Sequence, residues 1–158
     1  MKKIILPILL LFSLFFISGC VPGSVNGSQP QFKTIEVKHF TQADGLVISQ
    51  DFFNGFYDRF RKYLKELQVA GQIIEEGATM PDADAANAVV VEGKFTDYKN
   101  AGWFERAVVS LEVNLYRKSD HTLIKTIPVM LHDNTPFDKV KGEKMGRYTA
   151  NEIYKALK

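Results

Sequence analysis

The sequence predicts an α+β domain: a mixed, mainly antiparallel sheet of about five strands with two helices packed on one face. Three observations carry this. Residues 88–97 and 106–116 alternate apolar with polar side chains, as half-buried strands do. Residues 52–67 repeat apolar side chains at intervals of three and four, as an amphipathic helix does. The order of elements, strand, long helix, strand, three consecutive strands, helix, sets a hairpin series between two helices.

Taken in order, the chain opens with Lys2 and Lys3 before an almost wholly apolar run, residues 4–17, followed by the small Ser18 and Gly19. That is the three-part layout of a secretory signal. The run falls short of the roughly 20 residues a bilayer span needs, and Pro7 near its start argues against a permanent helix. Ile17-Ser18-Gly19-Cys20 resembles the lipobox of bacterial lipoproteins: an apolar residue, a small residue, Gly or Ala, then Cys. The resemblance implies cleavage between Gly19 and Cys20, a diacylglycerol on the thiol of Cys20, and acylation of the new N-terminus. The plainer alternative is an ordinary thiol beside an ordinary secretory signal. Two or three acyl chains exceed the single-chain regime of marginal, reversible membrane binding. Gram-negative lipoproteins kept at the inner membrane commonly carry Asp after the cysteine. Val21 stands there, which by the same resemblance implies the outer membrane, facing the periplasm.

Residues 1–19 thus read as a signal peptide, residues 20–32 as the lipidated cysteine and a tether, and residues 33–158 as a single domain. The stretch 21–31 is uncharged and rich in Gly, Ser and Pro, without a period. Removing Lys2 and Lys3 lowers the basic count from 20 to 18, against 18 acidic residues. A charge-balanced domain offers no basis for nucleic-acid binding. Cys20 is the sole cysteine, so no intrachain disulfide forms and the fold rests on its core.

Residues 34–40 alternate as a first strand, and residues 41–45 break it. Ser49 is the expected N-cap of the long helix, with Asp51 in its first turn. Phe52, Phe53, Phe56, Phe60, Tyr63, Leu64 and Leu67 form its aromatic-rich core stripe. A short strand covers residues 72–76, joined by parallel pairing to the first strand. Residues 77–87 form a loop; Asp82 and Asp84 lack the Gly and distal Glu of a calcium loop. Gly93 marks a bulge or a close approach by the long helix. The third strand of the hairpin series, residues 122–131, puts Leu123, Ile127, Val129 and Leu131 on one face. Pro128 assigns it to an edge or a bulge. A last helix spans about residues 142–157, with Met145, Tyr148, Thr149, Ile153 and Ala156 on one side.

One family shares this pattern: a first strand, a helix ending near Leu67, Ala83-Asp84 before Val89-Val90-Val91-Glu92-Gly93, a long strand, a turn at 118–123 and a final helix. The chain resembles the uncharacterised bacterial envelope lipoproteins known only as a domain of unknown function. Their fold is similar to the N-terminal domain of the periplasmic protein TolB. The resemblance implies a protein partner in envelope assembly or cell-wall control, and it brings no catalytic residues. The family's Gly-rich segment between the two long strands is here the shorter Asn100-Ala101-Gly102-Trp103.

For chemistry the sequence offers little that converges. His39, His121 and His132 share no metal-ligand spacing, no serine sits in a Gly-x-Ser-x-Gly elbow, and no glycine-rich loop cradles phosphate. No cofactor is expected beyond lipid on Cys20, and no metal. Trp103 and Phe104 at the tip of the hairpin, followed by Glu105 and Arg106, form with Arg106 the candidate contact patch, which Tyr98 and Lys99 extend. The bland alternative folds Trp103 back onto the core. The expected function is therefore a non-catalytic, membrane-anchored lipoprotein that presents one domain to another envelope protein. Two alternatives stand beside it: a glycan or small-ligand module stacking on Trp103 and Tyr98, and a hydrolase built from dispersed carboxylates around His39 or His132.

Overall fold

The computed structural model describes residues 32–100 and 106–158. Among the described residues nine elements follow one another: β1 (Thr34–Val37), β2 (Thr41–Gln42), α1 (Gln50–Glu66), β3 (Gln72–Glu75), the one-turn α2 (Asp82–Ala85), β4 (Ala88–Lys99), β5 (Ala107–Arg117), β6 (Leu123–Asp133) and α3 (Asp138–Ala156). The strands form one mixed sheet in the order β3-β1-β4-β5-β6, with β2 continuing alongside β4. β1 pairs in parallel with β3 and β4, whereas β4, β5 and β6 form an antiparallel meander. The expected α+β class is thus observed, with one more strand, the two-residue β2.

Both long helices cover one face of the sheet. Ser49 starts α1 as expected: its Oγ accepts the Phe52 N–H at 3.3 Å. Phe52, Phe56, Phe60 and Leu64, four residues apart, are wholly buried. Burial of each such side chain contributes roughly 1.5–3 kcal/mol. Phe95 of β4 meets Phe52, Phe53 and Phe56 edge-on, at centroid distances of 5.5, 5.4 and 5.3 Å, a favoured arrangement of ring quadrupoles. Ala107, Val109, Leu111, Val113 and Leu115 of β5 all face this core.

Helix α3 lies unusually close to α1. A Cβ on Gly142 would overlap the Phe52 carbonyl oxygen, one on Gly146 that of Phe56, and one on Gly55 that of Lys139. Small residues let the two backbones touch. The contacts advance together along both helices, so α1 and α3 run parallel and begin at the same end of the domain. The sequence places the start of the last helix near Gly142; it starts at Asp138, and Gly142 is a packing site instead.

Other expectations change for local reasons. The space beside Gly93 is filled by the ring of Phe40, not by the long helix. The irregularity in β4 falls between Phe95 and Asp97. Pro128 does sit in the edge strand β6, opposite Glu112. Leu123 leaves the core face, because Leu115 pairs with Lys125 and Tyr116 with Leu123, skipping Ile124. An extra residue reverses the parity beyond it. Tyr148 is exposed rather than packed, while Met145, Thr149, Ala150 and Ile153 form the buried side of α3. Residues 82–85 make one helical turn within the expected loop.

Candidate functional site

The end of the domain where both helices begin is braced by a polar cluster. The irregularity after Phe95 sets Tyr98 opposite Val109, on the helix side of the sheet. There the Tyr98 hydroxyl donates to Asp138 Oδ1 at 2.7 Å. Ser49 Oγ donates to Asp138 Oδ2 at 2.7 Å, so one hydroxyl serves both helix N-termini. Lys141 Nζ contacts Asp138 Oδ1 at 2.7 Å, donates to Asn100 Oδ1 at 2.8 Å, and stands 5.2 Å from the centre of the Tyr98 ring. The lysine is 1% exposed. A buried ammonium is costly unless charge and hydrogen bonds match it, and here a carboxylate, an amide oxygen and an aromatic face do so.

The cluster sets the protonation of its members. The hydrogen bond from Lys141, seconded by those from Ser49 and Tyr98, outweighs burial and lowers the Asp138 carboxyl to about 2. Burial, then the hydrogen bond to Asp138, pushes the Tyr98 phenol far above its ordinary value. Chemically this arrangement is a brace rather than a reacting centre, since each polar group already has its partner. It fixes Asn100, the residue that follows the end of β4.

Two clefts flank His39 and Thr41. One, of about 480 Å³, lies over the helix-free face of the sheet and is lined by Lys38, Glu76, Glu92, Lys94 and Glu112. Its charges are largely matched: Lys38 Nζ is 2.6 Å from Glu92, Glu76 accepts the His39 backbone N–H at 3.2 Å, and Lys94 stands opposite Glu112 across the strands. The other, of about 440 Å³, is lined by Phe40, Ile48, Phe53 and Tyr57 with Gln42 and Gln50. His39 stacks on Tyr57 at 5.4 Å, and the Tyr57 hydroxyl accepts the Phe40 N–H at 2.6 Å.

Of the residues singled out from sequence, Gly19, Cys20, Trp103 and Phe104 lie outside the described residues. Arg106 is exposed at the foot of the hairpin. Tyr98 is half-buried and faces the helices, not the outside of the tip. Among the histidines, His39 borders both clefts, His121 stacks on Tyr116 at 4.5 Å, and His132 is exposed near the end of β6. No cluster of metal-ligating side chains occurs among the described residues. Residue-pattern reasoning missed Asp138 and Lys141. Their spacing of three on a helix was visible, but their burial depends on the arrival of Tyr98 and Asn100 from β4.

Comparison with solved structures adds the fold's relatives. The chain shares the fold of protein XCC0632 from Xanthomonas campestris, of the DUF330 family, at TM-score 0.58 and 11% identity, over 84% of this chain and 88% of that one. It also shares the fold of PelC from Paraburkholderia phytofirmans, a dodecamer, at TM-score 0.57 and 9% identity, over 82% and 89% of the two chains. TolB from Acinetobacter baumannii overlaps more loosely, at TM-score 0.42 over 28% of its length, and carries no argument. No family model matches the chain, and neither does any curated protein.

Proposed function

We propose that this protein is a non-catalytic lipoprotein of the bacterial envelope, anchored through Cys20, that holds its domain out to a protein partner. The observation that carries this reading is the polarity of β4. It starts at Ala88, which pairs with Thr34 close to residues 20–32, and ends at Lys99, four positions before Trp103 in the chain. Twelve extended residues separate the two ends by roughly 36 Å. The far end is braced by Lys141 and Asp138, and it displays Phe137, 68% exposed, with Arg106. An exposed aromatic and an exposed arginine at one braced end have the composition of a contact hot spot. Confinement by lipid raises the effective concentration of that end against partners in the same envelope.

Crosslinking in intact cells followed by affinity capture tests this reading. We expect one specific partner, lost together in Trp103→Ala and Phe137→Ser strains. Capture that is unchanged in both variants rejects docking at this end. Mass spectrometry of the native chain tests the anchor, with a diacylated Cys20 at the mature N-terminus as the expected result.

The glycan-binding alternative draws on a specific feature as well, though not the one sequence suggested. Phe53, Tyr57 and His39 form an aromatic wall beside Gln42 and Gln50, a surface suited to a sugar ring. Calorimetric titration with peptidoglycan fragments, and its loss in Phe53→Ala, distinguishes it from docking.

A further inference from the structure

The end of the domain opposite the brace has a composition of its own. Strand register brings there the starts of β1, β3, β4 and β6 and the end of β5: Thr34 pairs with Gln72 and Ala88, Val89 with Arg117, and Tyr116 with Leu123. Both long helices end there too, since they run parallel away from Ser49 and Asp138. Phe32, the first described residue, lies at this end, with the Lys33 N–H donating to Asn87 O at 2.9 Å. Residues 21–31 therefore separate it from Cys20 by at most about 40 Å, even fully extended.

The acids at this end are mostly already held: Glu36 by Lys118, Asp120 by Arg117, Glu152 by Lys155 and Glu66 by Lys62. Lys33, Lys65, Lys125 and Lys158 are exposed and have no ion-pair partner among the described residues, and two further acids, Asp82 and Asp84, stand before β4 at the same end. The result is a net positive end on a chain whose charges, from residue 20 onward, balance overall. The skipped pairing at Ile124 adds two apolar side chains, Leu123 at 50% and Ile124 at 39% exposure, beside Lys125. Lysines around a small apolar tip match a phospholipid interface, where the charges meet phosphates and the tip enters the headgroup layer.

We propose that this end rests on an anionic phospholipid surface, with Lys33, Lys65, Lys125 and Lys158 on headgroup phosphates and Leu123 and Ile124 in the interface. The proposal rests on the reading that Cys20 is lipidated, since an anchor within that span keeps this end at the bilayer. The contact fixes the orientation of the domain, so that the braced end points away from the membrane.

The test uses the chain from residue 20 onward with Cys20→Ser, so that no lipid contributes, and sedimentation with vesicles. Phosphatidylethanolamine vesicles containing phosphatidylglycerol are compared with phosphatidylcholine vesicles. We expect selective, salt-sensitive binding to the anionic vesicles. Each lysine near such a surface contributes about fivefold in partitioning, and glutamate adds repulsion to that loss, so the combined Lys33→Glu, Lys125→Glu, Lys158→Glu variant binds at least about 100-fold more weakly. Ile124→Asp also weakens binding, and Lys99→Glu with Lys139→Glu, at the far end, leaves it unchanged. Circular dichroism confirms that each variant is folded; all of these lysines are exposed. Equal binding to both vesicles, or a triple variant that binds like its parent, overturns the proposal. Lipid on native Cys20 with no vesicle selectivity rejects this inference alone. Vesicle selectivity with an unmodified Cys20 rejects the lipoprotein reading and retains the basic end as a free membrane-binding surface.

Discussion

Lys141 Nζ lies 2.7 Å from Asp138 Oδ1, one helical turn away, with the lysine sealed from solvent and the aspartate still partly open. The pair ties the first turn of α3 to β4 through Asn100 and Tyr98, and to α1 through Ser49. Breaking a buried pair from one side leaves an unmatched charge and costs several kcal/mol. Lys141→Ala is expected to destabilise the fold by about 3 kcal/mol, the low end of that range, because Asp138 keeps Ser49 and Tyr98. Urea unfolding at neutral pH measures it.

The same cluster predicts an acid dependence. Asp138 has its carboxyl lowered to about 2 in the folded protein, against about 3.9 in an unfolded chain. A depressed folded value contributes stability that is complete above the unfolded value and is lost as pH falls through the folded one. Stability should therefore decline as pH drops from about 4 toward 2. Asp138→Asn should be less stable at neutral pH and flatter across that window. Urea midpoints of both proteins, followed with pH, decide the matter; parallel curves would exclude Asp138 as a source of the acid sensitivity.

The glycine contact between helices gives a sharper structural test. Alanine at Gly142 or Gly146 sets a methyl group against the carbonyl oxygen of Phe52 or Phe56, which are backbone atoms that cannot turn aside. Overpacking of this kind costs about 3 kcal/mol. Each single variant should lower the urea midpoint. An unchanged midpoint for both would mean that the helices can separate without loss.

Gly93 and Phe40 form a pair suited to a double-mutant cycle. The Phe40 ring occupies the space that a Cβ on residue 93 would need. Gly93→Ala should destabilise by about 1–3 kcal/mol. Phe40→Leu should lose packing on its own but absorb part of the added methyl, so the double variant is less destabilised than the sum. Strict additivity would show that the ring moves away without cost.

Pro128 tests how β6 stays unpaired. It sits within an eleven-residue edge strand, with Lys125 nearby. Both are features that discourage edge-to-edge pairing. Pro128→Val restores a backbone donor and is expected to raise self-association, read by light scattering at increasing protein concentration. Scattering identical to the parent's would place the protection elsewhere.

The amino-acid sequence by itself determined the elements whose pattern is local. The stripe from Phe52 to Leu64, the Ser49 cap and the alternation through β5 are periodicities that need no partner to be read. The signal-like residues before Cys20 are a linear motif of the same kind. Tertiary structure decided everything that depends on two segments meeting. The irregularities in β4 and β6 turned Tyr98 inward and Leu123 and Ile124 outward, because one extra residue reverses the faces beyond it. Lys141 became a buried cation only once β4 delivered Tyr98 and Asn100 to α3. Gly142 and Gly146 became contact points only when α1 lay against them. The unmatched lysines of the tether-proximal end lie far apart in the chain. Sheet register and the parallel course of the helices bring them to one end, and no spacing along the sequence records that.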